Sequence, residues 1–150
     1  MNAGDICTRD VVTCGLNATI LEACKIMRDR HVGDIVAVEK SADGKLHPRG
    51  LLTDRDIVLA VLAREVDAFG LFVADVMSSP LIVAYEGEDV WQVVKRMRLH
   101  AIRRMPVVGN AGELVGLLSF DDLLDATCVL LAELSLVTAR QPHFEEKQRA

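Results

Sequence analysis

The sequence predicts an α/β protein, close to α+β in character, made of two pseudo-symmetric units joined into one body. Three observations predict it: the chain repeats itself, each copy runs through helix and strand signals in the same order, and the residues available for a core are almost all aliphatic. Asp5-Ile6 matches Asp75-Val76 and Met27-Arg28 matches Met97-Arg98, an offset of 70. Past Val38 and Val108 the offset becomes 66, so that Gly50-Leu51-Leu52-Thr53 meets Gly116-Leu117-Leu118-Ser119 and Asp56 meets Asp122. The change falls in the turn-rich residues 40–45, where an insertion costs little. A period of this length marks a repeated supersecondary unit.

Each unit opens with a short leader, residues 6–13 and 76–83. An amphipathic helix follows, with Ile20, Ala23, Cys24 and Met27 in one copy and Val90, Val93, Val94 and Met97 in the other, each set spaced i, i+3, i+4, i+7. Thr19 with Glu22, and Asp89 with Gln92, read as capping signatures. A strand comes next (35–38 or 105–108), then a turn carrying Asp43-Gly44 or Asn110-Ala111-Gly112, then a second strand (50–53 or 116–119). Another helix closes the unit. A two-stranded unit is marginal alone, so the copies are expected to pack together through their sheets. The repeats are assigned to residues 4–66 and 72–134, with 135–150 as a helix end and polar tail. The second closing helix is expected from about Asp121 towards Ala139. Its stripe of Leu124, Cys128, Leu131 and Leu134 either covers its own core or forms an oligomer contact. Residues 140–150 are expected to fray.

Composition narrows the function classes. The 150 residues are 51% hydrophobic but only 4% aromatic, and the formal net charge is -5. That charge argues against a protein that coats nucleic acid, though not against a local basic pocket for one phosphorylated ligand. The longest aliphatic run, residues 57–63, is too short to cross a bilayer, and the start of the chain lacks the basic and apolar regions of a signal peptide. A cytoplasmic protein is expected. Cys7, Cys14, Cys24 and Cys128 form no C-x-x-C pair and no zinc spacing with histidine, and are read as reduced structural residues.

The chemistry concentrates in two matched segments, Gly50-Leu51-Leu52-Thr53-Asp54-Arg55-Asp56 and Gly116-Leu117-Leu118-Ser119-Phe120-Asp121-Asp122. In each a strand runs into a helix with a hydroxyl at the N-cap and a carboxylate three residues on. The unpaired amides and positive dipole end of a helix start attract phosphate. The hydroxyl can donate to a phosphate oxygen, and the carboxylate suits the paired hydroxyls of a ribose. An ordinary capping box has the same pattern. What favours the ligand is its occurrence twice, at identical spacing, in equivalent strand-to-helix joints.

Residues 4–134 resemble a tandem pair of CBS domains, the module named after cystathionine β-synthase and often called a Bateman module. The resemblance rests on Gly-h-h-Thr/Ser-x-x-Asp (h apolar) in both copies, on Thr53-Asp54-Arg55-Asp56-Ile57, on Ile102-Arg103-Arg104-Met105-Pro106-Val107-Val108, and on the leader Val76-Met77-Ser78-Ser79-Pro80. It implies a regulatory sensor rather than an enzyme, with an adenosine-containing ligand in the cleft between repeats: AMP, ADP or ATP, with S-adenosylmethionine or NAD as further members of the class. Asp56 and Asp122 would hold ribose, and Thr53 and Ser119 phosphate or ribose. Backbone at Val12-Thr13 and Ile82-Val83 would meet adenine, between apolar walls from Val32 and Ile102. The resemblance also implies a flat homodimer, and it leaves a ligand-free structural or protein-interaction module as the alternative.

The two sites are not expected to be equal. Arg103 and Arg104 precede the second copy's strand and Arg55 lies in the first copy's motif, and all three can neutralise phosphate. The first copy has Gly33 and Asp34 where the second has Arg103 and Arg104, and Val36 where it has Pro106. No catalytic residue and no required cofactor or metal is assigned; Mg²⁺ would enter only through bound phosphate near Asp121-Asp122. Residues 95–100 look basic but are read as the solvated face of a helix, and Trp91 and Phe120 as packing residues.

Overall fold

The computed structural model describes residues 1–149; Ala150, the last residue of the expected tail, lies outside them. Short helix α1 (Ala3–Ile6) leads into β1 (Thr13–Gly15), α2 (Ile20–Arg30), β2 (Asp34–Lys40), β3 (Leu46–Thr53) and α3 (Asp54–Ile57). The second unit repeats this order with α4 (Val73–Val76), β4 (Ala84–Tyr85), α5 (Val90–His100), β5 (Arg104–Val108), β6 (Leu114–Ser119) and α6 (Phe120–Arg149). The fold is mixed α/β, as the sequence indicates. Each sheet, however, has three strands rather than two, ordered β1-β2-β3 and β4-β5-β6, with a parallel first pair and an antiparallel hairpin. The added strands are only three and two residues long, too short for an alternating pattern to show.

The predicted helical stripes form the cores. Ile20, Ala23 and Met27 pack with Ile35, Ala37 and Leu52 in one unit, and Val93 and Met97 with Met105, Val107 and Leu118 in the other. Thr19 makes the reciprocal capping box with Glu22, whereas Asp89 accepts from the Trp91 amide and Gln92 takes no part. Trp91 itself is 65% exposed, on the face of α5 away from Val93 and Met97, and so is not a packing residue. Gly44 and Gly112 turn the two hairpins with φ of 83° and 80°, a region that favours glycine.

The leaders are exchanged. Ala3, Ile6 and Cys7 pack on the second unit's core, and Val73, Val76 and Met77 on the first. Thr8 exchanges backbone hydrogen bonds with Leu117 at 2.9 Å in both directions, and the Ser78 amide donates to the Leu51 carbonyl at 2.9 Å. This crossing explains the glycine that opens each motif. A Cβ on Gly50 would fall on the Met77 side chain, and one on Gly116 would lie 2.9 Å from the Thr8 carbonyl oxygen and against Cys7. Between the sheets Val36, Val38 and Leu51 form a third cluster with Val11, Leu81, Leu114 and Leu117.

The closing helices differ. After α3 the first unit makes a wide π turn, in which the Ala63 amide donates to Val58 at 2.8 Å, and stops. Helix α6 instead continues through Pro142 to Arg149, so residues 140–149 are helical rather than frayed. Glu145, Glu146, Lys147 and Gln148 are good helix formers and carry the helix on beyond Pro142.

Candidate functional site

Two clefts lie between the units, and each mixes residues of both. The larger, about 460 Å³, is lined by Thr53, Asp54, Arg55 and Asp56 from the first motif and by Ile82, Ile102, Arg103 and Arg104 from the second unit. The smaller, about 230 Å³, is lined by Ser119, Asp121 and Asp122 from the second motif and by Asp10, Val12, Val32 and Asp34 from the first unit. Arg104 reaches both.

In the larger cleft Thr53 caps α3. Its Oγ1 accepts from the Asp56 amide at 3.1 Å while the Asp56 carboxylate Oδ2 accepts from the Thr53 amide at 2.9 Å. The capping box is therefore real, and it uses only part of each side chain. The hydroxyl hydrogen of Thr53 and the second carboxylate oxygen of Asp56 have no hydrogen-bond partner among the described residues, and both belong to cleft-lining residues. In the smaller cleft Ser119 uses its hydroxyl differently, donating to Asp122 Oδ2 at 2.7 Å; that same oxygen accepts from the Ser119 amide at 2.7 Å.

Charge separates the clefts. Three arginines face two aspartates in the larger, whereas four aspartates face Arg104 alone in the smaller. Arg104 Nε and Asp34 Oδ2 form an ion pair at 2.7 Å. Burial pushes the Asp34 carboxyl above its ordinary range; Arg104 opposes that shift, and Asp54 adds to it. Arg103 stacks over the Phe120 ring at 5.3 Å, so Phe120 is exposed and orients an arginine instead of filling the core.

The structure thus brings Thr53, Arg55, Asp56, Ile82, Ile102, Arg103 and Arg104 to one cleft and Val12, Val32, Ser119 and Asp122 to the other. Thr13, Val83 and Pro106 line neither. The Val83 carbonyl accepts from Arg96 Nη1 at 2.8 Å. Pro106 is buried in β5, out of a ligand's reach. It changes the hydrogen bonding beside it: in the first unit the Val36 amide donates to the Val12 carbonyl at 3.0 Å, and proline at the equivalent position 106 has no N–H to give. The Ile82 carbonyl, in the wall of the larger cleft, accepts no hydrogen bond among the described residues. Sequence reasoning did not assign Asp54, Ser78 or Leu81 to a site, and the exchanged leaders bring the last two there; it set Asp34, as the counterpart of Arg104, in its own repeat's site, whereas the structure places it in the cleft of Ser119 and Asp122.

Among the described residues no group of histidine, cysteine or carboxylate side chains is placed to hold a metal, and no helix is long and apolar enough to cross a membrane. The four cysteines are free; burial raises the thiol pKa of Cys14 and Cys7, and Cys128 is exposed rather than packed.

Comparison with known proteins agrees with the repeat. The CBS domain family matches residues 3–63 and 73–128. The chain is 31% identical over 134 residues to the uncharacterized protein MK0525 of Methanopyrus kandleri, covering 89% of this chain and 66% of that protein's length. The CBS domain protein PAE2072 of Pyrobaculum aerophilum, solved in complex with AMP, superposes with a TM-score of 0.75 at 29% identity, over 90% of this chain and 99% of that one. The CBS domain pair of protein MJ0100, solved with 5′-methylthioadenosine and S-adenosyl-L-methionine, superposes with a TM-score of 0.70 at 27% identity, over 85% and 95%. With both repeats matched and their sheets paired around shared clefts, the chain belongs to the CBS domain family, as a tandem pair.

Proposed function

We propose that this protein is a regulatory module that binds a phosphorylated adenosine ligand, of the AMP, ADP or ATP class, in the larger cleft. The observation that carries the reading is the meeting of Arg103 and Arg104 from one repeat with Thr53 and Asp56 from the other. Arg103 supplies charge for phosphate, Arg104 the guanidinium N–H groups that do not face Asp34, Thr53 a hydroxyl donor, Asp56 a carboxylate oxygen for ribose, and Ile82 and Ile102 an apolar wall for the base. The AMP held by PAE2072 supports the class, and the 5′-methylthioadenosine and S-adenosyl-L-methionine held by MJ0100 support an adenosine ligand more broadly. Because the cleft has walls from both repeats, a ligand there acts by its different affinity for two relative arrangements of them.

Thermal unfolding with AMP, ADP, ATP, NAD and S-adenosylmethionine tests this. At 100 times its dissociation constant a ligand adds about 2.7 kcal/mol, a rise of roughly 5–10 °C for a chain of this size. Asp56→Ala is expected to weaken binding about tenfold or more. No shift with any of the five would leave the protein-interaction module as the better reading.

The same proposal includes a second copy of this chain as partner. Val58, Leu59 and Leu62 are half or more exposed after α3, and Leu124, Val129 and Leu131 are similarly exposed on α6. Val58 and Leu124 are equivalents under the repeat, so apolar surface recurs on both units and suits a symmetric, self-complementary pairing.

A further inference from the structure

The smaller cleft has the opposite character from the larger one although the same repeat builds both. The difference originates at one pair of equivalent positions. Where the second unit places Arg104, the first places Asp34. Each stands first in its strand, and each pairs with its motif hydroxyl, Asp34 with Thr53 and Arg104 with Ser119. Their side chains meet at 2.7 Å between the clefts.

We propose that Asp34 is the specificity-determining residue of the smaller cleft, turning phosphate away so that this cleft takes an adenosine ligand without phosphate, neutral or positively charged. The inference rests on the reading that the clefts hold adenosine ligands. Arg104 is the one basic residue in this cleft's wall, and its charge is matched by Asp34 before any ligand arrives. The remaining carboxylates are not equivalent to Asp34. Asp10 lies 3.6 Å from Arg30 and Asp121 lies 3.9 Å from Arg103, and these pairs are exposed, where salt screens them. The Asp34 side chain is only 14% exposed, so its field acts on a neighbouring anion with far less screening. Asp122 commits an oxygen to Ser119, and the Ser119 hydroxyl is spent on Asp122 in return, which removes a phosphate donor that Thr53 retains.

The test is calorimetric titration of the full chain with AMP and with 5′-methylthioadenosine, using Asp56→Ala to disable the larger cleft. Asp56→Ala is expected to lose AMP while keeping one site for 5′-methylthioadenosine. Adding Asp34→Asn to Asp56→Ala should restore AMP binding, at least about tenfold tighter than in Asp56→Ala alone, and change 5′-methylthioadenosine affinity by less than about threefold. Asp34→Ser, carried in parallel, gives the same readout if the asparagine variant folds poorly. AMP binding in Asp56→Ala as tight as that of 5′-methylthioadenosine, or indifference of AMP to both Asp34 variants, overturns the assignment while leaving the adenosine reading in place. Failure of the wild type to bind either compound overturns both.

Discussion

Asp34 and Arg104, seventy residues apart and equivalent in the repeat, form an ion pair at 2.7 Å on the boundary between the two clefts. A pseudo-symmetric axis normally brings like residues together, and like charges there would repel. Opposite charges turn the same approach into a contact that fixes the two sheets against each other. Its cost is the desolvation of Asp34, which outweighs Arg104 and holds the carboxyl above its ordinary value of 3.8.

The sign of that shift predicts a pH dependence. A carboxyl with a raised folded-state pKa binds its proton more tightly in the native chain than in the unfolded one. Its contribution is therefore most favourable at or below the unfolded value of 3.8, and declines as pH rises through the raised folded value. The difference in urea-unfolding stability between wild type and Asp34→Asn should fall across that window, other carboxylates cancelling in the difference. Arg104→Ala should steepen the fall, because it removes the group that opposes the shift. A difference that rises with pH would mean that the ion pair dominates burial.

The exchanged leaders make a second prediction. Gly116→Ala should destabilise by about 1–3 kcal/mol, since its new methyl group meets the carbonyl of Thr8, a residue pinned by its two backbone hydrogen bonds with Leu117. Gly50→Ala should cost less, because the Met77 side chain it meets can swing aside. Urea midpoints for the two variants measure the order directly, and equal midpoints would contradict it.

Self-association is tested at Leu62, which is 65% exposed, and at Leu124. If a second copy covers these residues, Leu62→Glu and Leu124→Glu should each shift the mass measured by light scattering from dimer towards monomer, with little change in monomer fold. A monomeric wild type at tens of micromolar would contradict the pairing.

The helices, hairpins and motif residues were legible in the sequence because each carries a local signal: a stripe at helical spacing, a glycine in a turn, a hydroxyl three residues before a carboxylate. The short strands β1 and β4 were not, because two or three residues carry no pattern and their place is set by pairing with β2 and β5; nor was the exchange of leaders, which is fixed by contacts across the repeats such as Thr8 with Leu117. The same distance hid the division of charge. Arg103 and Arg104 adjoin Ser119 through their own hairpin, yet both line the cleft of Thr53 and Asp56. A ranking made repeat by repeat places those arginines with the wrong hydroxyl; only the packing of one sheet against the other reassigns them.

Pro106 provides the last prediction, and it separates a packing role from a recognition role. The residue is buried and touches neither cleft, so a purely structural reading expects Pro106→Val, which copies Val36, to leave ligand preference alone. The hydrogen-bond pattern expects otherwise. Valine restores the N–H that in the first unit is donated to the Val12 carbonyl, and so occupies the equivalent Ile82 carbonyl. In the wild type that carbonyl has its acceptor capacity to offer an adenine amino group, and it would face the 6-oxo group of hypoxanthine acceptor to acceptor. AMP should therefore bind the wild type about tenfold or more tighter than IMP. Pro106→Val should narrow that ratio severalfold, mainly by weakening AMP, with the unfolding midpoint little changed. An AMP to IMP ratio equal in both proteins would place adenine recognition elsewhere in the cleft.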